Sequence, residues 1–181
     1  MILISQHSRL LHLRFPAGTV FRVNAAWIKT KKELFDLLGH LKGQVFLDYP
    51  KNRMKPPRPK LPLETMFEAV EKFQNIKYFA VSNVVAGHNV RDIRAVLPGR
   101  VILVPKIESK RGIDNLKEIV SALNKNDRYL MLDKEDLYTD LDKNDLVFEK
   151  YIAILRGKCR RYDYHLLELM GVIFGEEPQV D

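Results

Sequence analysis

Two acidic residues of this sequence follow strand-like runs and could hold a metal ion together. Glu108 closes the apolar stretch that begins at Val101, and Asp136 closes the next one, which begins at Tyr129. A helix-length segment separates the two runs, so both carboxylates should emerge at the same end of a parallel sheet. Carboxylate oxygens are the ligands that hard divalent cations prefer. The spacing therefore predicts a site for Mg²⁺ or Mn²⁺, although solvated acids at strand ends are also common.

Strand-like and helix-like segments alternate along the chain with short connections, which predicts βαβ units and a parallel α/β sheet. The predicted strands are residues 2–5, 19–24, 44–49, 76–82, 100–107 and 128–132. The predicted helices are residues 31–41, 64–74, 89–97, 113–123 and 145–156, while residues 164–174 fit a last strand or a closing helix. A (β/α)₈ barrel needs about 200 residues or more. The 181 residues therefore predict one domain, 1–181, with a trimmed or incomplete (β/α)₈ TIM-type barrel.

Two segments do not fit this alternation. Residues 50–62 contain five prolines and five basic residues without an acid, which predicts a loop. Such a loop is a solvated segment, a lid over an anionic substrate or a nucleic-acid contact, and its lack of aromatic residues argues against stacking on single strands. Residues 175–181 are predicted to be a flexible acidic tail.

Composition narrows the class of protein without naming a substrate. The formal net charge of +7 is compatible with a nucleic acid, an acidic membrane surface or a small anionic substrate. No apolar stretch approaches the roughly 20 residues of a membrane span, and the first residues lack the pattern of a signal peptide. The single cysteine, Cys159, excludes an internal disulfide. We therefore expect a cytoplasmic protein, and we expect no membrane and no nucleic-acid partner.

Several segments resemble pyruvate kinase, in the same order along the chain. Residues 21–24 (FRVN) are similar to its F-R-L-N strand, residues 45–50 to its L-L-D-L strand and the loop after it, and residues 80–84 to A-L-S-F-V. Residues 106–109 and 112–116 are similar to its K-I-E-N and G-V-D-N-L. Residues 135–141 (EDLYTDL) are instead closer to the citrate lyase β-subunit and the HpcH/HpaI aldolases. The chain thus resembles the phosphoenolpyruvate/pyruvate barrel superfamily, to which all of these belong.

The resemblance implies a role for each matched residue. Glu108 and Asp136 would ligate the metal, which would chelate a pyruvate- or phosphoenolpyruvate-like keto acid and stabilise its enolate. Lys106 would point into the site as a catalytic positive charge, or it could instead pair structurally with Glu108 or Asp133. The other implied site residues are Arg22, for catalysis and for the substrate's carboxylate or phosphate, and the substrate-binding Asn24, Asp48 and Arg53. For Arg22, the alternative is a salt bridge at the edge of the core.

The departures from pyruvate kinase decide which activities we expect. The nucleotide-covering domain is replaced by the short Pro/basic loop, and Glu135 and Tyr138 stand where the kinase has glycines. ATP synthesis is therefore not expected. The leading hypothesis is a Mg²⁺-dependent carbon–carbon lyase or aldolase; the alternatives are a catalytically degenerate barrel that serves as a binding or assembly module, and a diverged phosphotransferase. A barrel with too few strands also leaves open edges, which predicts a homo-oligomer.

Overall fold

The computed structural model describes residues 2–5, 17–51 and 57–168, and only the backbone of residues 2–5. Seven parallel strands in these ranges form one sheet, in the order in which they occur along the chain. They are β1 Ile2–Ser5, β2 Thr19–Asn24, β3 Gln44–Tyr49, β4 Ile76–Val81, β5 Ile102–Ile107, β6 Tyr129–Leu132 and β7 His165–Glu168. Parallel strands in consecutive order are the arrangement of a (β/α)₈ barrel. The structure is therefore a parallel α/β fold, consistent with a trimmed TIM-type barrel.

Helices occupy most connections between the strands. They are α1 Lys31–His40, α2 Leu63–Lys72, α3 Gly87–Arg94, α4 Lys110–Asp114, α5 Leu116–Ser121, α6 Lys134–Asp140 and α7 Asp145–Tyr162. The predicted helix 113–123 is two helices, because the chain leaves helical geometry at Asn115, whose side chain donates to Val85 O at 2.8 Å. The helix α6 was not predicted, and α7 continues well past the predicted end at Arg156 because Cys159 is still buried against the core.

The helices begin at polar residues that cap their first free amide groups. Thr30 Oγ1 accepts from Glu33 N at 3.1 Å, and Ser109 Oγ accepts from Gly112 N at 3.2 Å. Asn144 Oδ1 accepts from Val147 N at 3.1 Å at the start of α7. Such caps typically contribute about 1 kcal/mol each. Because Ser109 follows β5 after a single residue, its cap also determines how the chain leaves the strand.

The two faces of the sheet pack against different partners. The outer face carries large buried side chains such as Leu47, Phe79 and Leu103, which pack with the apolar sides of the helices in the larger core. The inner face holds a smaller core, with one residue from each of β2 to β6: Val20, Phe46, Ala80, Val104 and Met131. Alternation along a strand places every second residue on the inner face. The next inward residues toward the carboxyl ends are therefore Arg22, Asp48, Ser82, Lys106 and Asp133.

Aromatic rings lie on the inner face toward the amino ends of the strands. Phe46 stacks on Tyr78 with ring centroids 5.9 Å apart, and Tyr78 meets Tyr129 edge to face at 5.8 Å. Tyr129 in turn lies 5.3 Å from the ring of His165. These contacts fill the inner face below the charged residues, so the space for a ligand lies at the carboxyl ends of the strands.

Several sequence predictions concern the edges and loops. Within the described ranges, the strand order runs from β1 at one edge to β7 at the other and does not close. The homo-oligomer that would cover these edges stays a prediction. Residues 58–62 form no helix or strand, as predicted for the Pro/basic loop, whereas Arg53 and the tail 175–181 lie outside the described residues.

No helix in the described ranges combines the length and the apolar character that a bilayer crossing needs.

Gly112 allows the start of α4 to pack closely beneath the loop after β4. A Cβ at this position would lie 2.8 Å from Val84 O and 3.4 Å from Ile107 Cγ2. We expect Gly112→Ala to lower the free energy of unfolding by about 1–3 kcal/mol, because backbone atoms would have to move. Urea denaturation followed by circular dichroism measures this change.

Gly157→Ala on α7 is the matched control, because nothing lies within 4 Å of its added methyl group. Alanine favours a helix over glycine, so this variant should be as stable as the native chain or more stable by about 0.5–1 kcal/mol. Equal stability of the two variants would contradict the close packing at Gly112.

Candidate functional site

Four charged side chains lie at the carboxyl ends of the inner strands and are almost completely buried. Arg22 on β2 is 8% exposed, Asp48 on β3 is 0% exposed, and Lys106 on β5 and Glu108 directly after it are each 3% exposed. Their strands bring them together because parallel neighbours end at one edge of the sheet. Charged residues are rarely buried to this extent unless they are paired. Four of the predicted site residues, Arg22, Asp48, Lys106 and Glu108, therefore meet in one place.

The four residues form a continuous chain of alternating charge. Arg22 Nε donates to Asp48 Oδ2 at 3.0 Å, and Arg22 Nη2 donates to the same oxygen. Lys106 Nζ lies 3.7 Å from Asp48 Oδ1 and 2.8 Å from Glu108 Oε1. The ammonium group also donates to Ser82 Oγ at 3.0 Å. Two cations thus face two anions. Arg22 forms a salt bridge with Asp48, while its predicted role toward a substrate stays a prediction.

A backbone amide fixes the orientation of Glu108. Asn83 N donates to Glu108 Oε2 at 2.8 Å, and the Asn83 side chain donates to Lys51 O, also at 2.8 Å. Asn83 has φ 57°, the left-handed conformation that asparagine adopts more readily than most residues. The sequence analysis did not identify Asn83 as a site residue. Its signal was an asparagine directly after a buried strand, where the chain has to turn.

Three carboxylates meet at the ends of β5 and β6. Glu108, Asp133 and Asp136 each offer an oxygen, and these oxygens lie within 4.8 Å of one another. Glu108 Oε1 is buried and has no hydrogen-bond partner, because its contact with Lys106 Nζ is close but does not have hydrogen-bond geometry. A buried carboxylate oxygen without a hydrogen bond, beside two further carboxylates, fits the donor set of a hard divalent cation. The predicted ligands Glu108 and Asp136 are thus joined by Asp133.

Burial and neighbouring charges set the protonation of Lys106 and Glu108. Burial lowers the pKa of Lys106, but the carboxylates of Asp48 and Glu108 outweigh it and raise that pKa above its ordinary value. The amine therefore carries its positive charge at neutral pH. Burial raises the pKa of Glu108, and the opposing effects of Lys106 and the Asn83 amide do not cancel it. A further positive charge nearby would favour the ionised carboxylate.

Of the remaining predicted site residues, Asn24 lies within the described ranges. Asn24 ends β2 in register with Asp48, and its Oδ1 accepts from Ala26 N at 3.0 Å to cap a short 3₁₀ turn. Trp27 ends that turn and is 66% exposed. Arg53 is outside the described residues, so its predicted role stays untested. Cys159 is buried on α7, where burial raises its pKa to about 11, in agreement with a plain helix cysteine.

A second cluster of charged residues connects the last strand, β7, to the neighbouring helices. Glu168 at the end of β7 accepts two hydrogen bonds from Arg156, each 2.8 Å long, and Lys134 Nζ lies 2.8 Å from the same carboxylate. The hydrogen bond from Arg156 and the neighbouring Lys134 lower the pKa of Glu168 to about 2. Because Lys134 directly follows Asp133, this group also connects β7 to the start of α6.

Solved structures share this fold at low sequence identity. A HpcH/HpaI aldolase/citrate lyase family protein from Burkholderia cenocepacia J2315 superposes with a TM-score of 0.63 and 12% identity, over 91% of this chain and 74% of that chain. RipC from Yersinia pestis gives 0.63 and 12%, over 87% and 72%. The citrate synthase SbnG gives 0.68 and 10%, over 93% and 76%.

These similarities establish the fold. No protein-family model matches the sequence, and no curated protein matches it significantly. The parallel α/β barrel-type fold of these structures agrees with the fold that the sequence resemblance implies, whereas the superfamily and its pyruvate kinase part stay predictions.

Asp48 is the residue on which the buried charges depend most. In Asp48→Ala, Arg22 would stay buried without its partner, so we expect the free energy of unfolding to fall by about 3–5 kcal/mol. Asp48→Asn, which keeps the shape of the side chain, should lie between this variant and the native protein. Urea denaturation measures all three.

The control is Asp36→Ala, which removes a carboxylate from the Lys32–Asp36 pair, whose side chains are 84% and 55% exposed. Such surface pairs contribute about 0.5 kcal/mol or less. A loss at Asp48 no larger than the loss at Asp36 would show that the four buried charges do not support one another.

Proposed function

We propose that this chain is a divalent-metal-dependent lyase of the aldolase type, acting on a small anionic keto acid. The observation that carries the proposal is the meeting of Glu108, Asp133 and Asp136 around the buried Oε1 of Glu108, which lies 2.8 Å from Lys106 Nζ but accepts no hydrogen bond. These three carboxylates lie beside the protonated Lys106, at the carboxyl ends of the strands, where barrel enzymes have their active sites. The arrangement offers negative ligands for a metal and fixed positive charge for an anionic substrate.

The balance of charge supports a cation as the first ligand. Among the described residues, six ionisable side chains form the site: Arg22, Lys106, Asp48, Glu108, Asp133 and Asp136. With all six ionised, and with Arg53 not counted, two positive and four negative charges leave a net charge of about −2. One divalent cation would neutralise this excess. An anionic keto acid alone would meet a negatively charged site and bind poorly.

Each side chain then has a proposed part in the reaction. Mg²⁺ or Mn²⁺ at this position would supply Lewis-acid chemistry to the carboxylate and keto oxygens of a pyruvate-type substrate. Lys106, held by Ser82 and Glu108, contributes a fixed positive charge that stabilises negative charge on the substrate. The proposed contacts to the substrate carboxylate come from Arg22, Asn24 and Arg53, while Asp48 holds Arg22 in position.

The structural neighbours support this reaction class coarsely. One is described as an aldolase/citrate lyase family protein and another as a citrate synthase, at 12% and 10% identity. Both names denote chemistry in which a carbon–carbon bond is formed or broken. For this chain we propose only that class of reaction, the formation or cleavage of a carbon–carbon bond, and we propose no identity for the second substrate.

A second candidate function has its own observation. Arg22 and Lys106 are already neutralised by Asp48 and Glu108, so the inner charges satisfy one another in part without any ligand. A catalytically degenerate barrel that serves as a binding or assembly module would keep such a network for its stability alone. The two candidates differ in whether an enolate analogue binds.

Oxalate, a planar mimic of the pyruvate enolate, distinguishes them. Isothermal titration calorimetry of the native protein should show oxalate binding that requires Mg²⁺, because the bare site repels the dianion. In the double variant Glu108→Gln with Asp136→Asn, we expect at least a tenfold loss of affinity.

Asp142→Asn is the matched control, since it removes one exposed carboxylate at a position with φ 54° that asparagine tolerates. It should bind oxalate as the native protein does. A folded native protein that binds no oxalate in the presence of either Mg²⁺ or Mn²⁺ would contradict the lyase proposal and favour the module.

A further inference from the structure

Asp133 was not among the predicted metal ligands, and the resemblance implies no ligand role for it. It directly follows β6 and is the N-cap residue of α6. Its carboxylate contributes one of the three oxygens that lie within 4.8 Å of one another, with Glu108 on the neighbouring strand end and Asp136 one turn along α6. The side chain thus stands between the two predicted metal ligands.

Helix capping alone does not explain an aspartate at this position. Asp133 Oδ1 accepts from Asp136 N at 3.4 Å, a long and weak hydrogen bond. The same protein caps α4 with Ser109 and α7 with Asn144, at 3.2 and 3.1 Å, so a neutral residue can perform this task here. A carboxylate also has a second oxygen and several lone pairs, so capping leaves most of its capacity to accept or to ligate.

A carboxylate at Asp133 places a third negative charge beside Glu108 and Asp136. Glu108 is 3% exposed, and Lys106 is the cation that pairs with it, so the charges of Asp133 and Asp136 add to the repulsion among the three carboxylates. A neutral cap would avoid this repulsion. The cost is offset if a cation shares the three carboxylates, and the buried Oε1 of Glu108, which lacks a hydrogen-bond partner, lies within the same group.

We propose that Asp133 is the third protein ligand of the divalent cation, and that the site therefore binds the metal before any substrate arrives. This inference rests on the proposed function. Mg²⁺ and Mn²⁺ commonly take six ligands, and sites with one or two carboxylates rely on substrate oxygens to complete the set. Three carboxylates supply half of the ligands, and a keto acid that chelates through two oxygens still has room.

The order of binding follows from this ligand set. The bare site carries the excess negative charge and binds the cation first, and the cation then allows the anionic substrate to enter. The third carboxylate also withdraws part of the metal's positive charge, so the protonated Lys106 becomes the more important remaining positive charge near the substrate.

Binding of Mn²⁺ alone tests the proposal without any measurement of activity. Free Mn²⁺ is followed by electron paramagnetic resonance during titration of the full chain, in the absence of a keto acid or oxalate. We expect one site on the native protein, and at least a tenfold weaker site in Asp133→Asn. Asparagine is a good helix cap, so this variant keeps α6 and removes the charge. Asp142→Asn should bind Mn²⁺ within twofold of the native protein.

Thermal unfolding of each variant separates ligand loss from damage to the fold. Asp133→Ser adds a second test, because serine caps the helix with a neutral hydroxyl and cannot replace a carboxylate ligand. Both variants should unfold within a few degrees of the native protein and bind Mn²⁺ comparably weakly.

The titration separates failure of this inference from failure of the proposed function. Native affinity in Asp133→Asn, with loss in Glu108→Gln, would overturn the role of Asp133 and leave a two-carboxylate site. Binding of Mn²⁺ only when oxalate is present would overturn the binding order while the lyase proposal stands. No binding of Mn²⁺ with or without oxalate would overturn both.

Discussion

The four buried charges on the inner face of the sheet have to satisfy one another, because the surrounding strands and side chains exclude water from them. Arg22 and Asp48 are joined by hydrogen bonds, Lys106 lies between Asp48 and Glu108, and none of the four is more than 8% exposed. Removing one member leaves another buried and unpaired, which costs more than the pair contributes. The network therefore couples β2, β3 and β5 electrostatically, in addition to their backbone hydrogen bonds, and every property of the site depends on it.

The local turns after the strands direct this network toward a ligand. Asn83, in the left-handed conformation, presents its amide to one oxygen of Glu108, and Ser109 starts α4 directly behind it. The other oxygen of Glu108 is left without a hydrogen bond beside Asp133 and Asp136. The end of β5 thus carries both the positive charge of Lys106 and the proposed metal ligand Glu108. The network that stabilises the fold and the proposed metal site therefore share Glu108.

The sequence predicted the parts of the fold that follow from periodic burial. The strands 19–24, 44–49 and 76–82 match the structure to within one residue, because their apolar runs are bounded by turn residues. Alternation along those strands also explains why Arg22, Asp48 and Lys106 share one face. The break at Asn115 was not predicted, because it depends on a tertiary hydrogen bond to Val85 O. The helix α6 was not predicted, because residues 135–141 were interpreted only as a sequence motif. Asn83 and Asp133 were missed as site residues because their roles depend on contacts between strand ends, which spacing in the sequence does not encode.

We propose that Glu108, Asp133 and Asp136 enclose a divalent cation next to the buried Lys106. Anomalous diffraction from crystals of the full chain, grown with MnCl₂ and oxalate, would locate this cation. We expect one strong manganese peak within about 2.5 Å of an oxygen of each carboxylate, with Lys106 still in contact with Glu108. A well-ordered structure without a peak at these residues, with the three carboxylates turned apart, would rule out this metal site and leave the buried charges with a structural role alone.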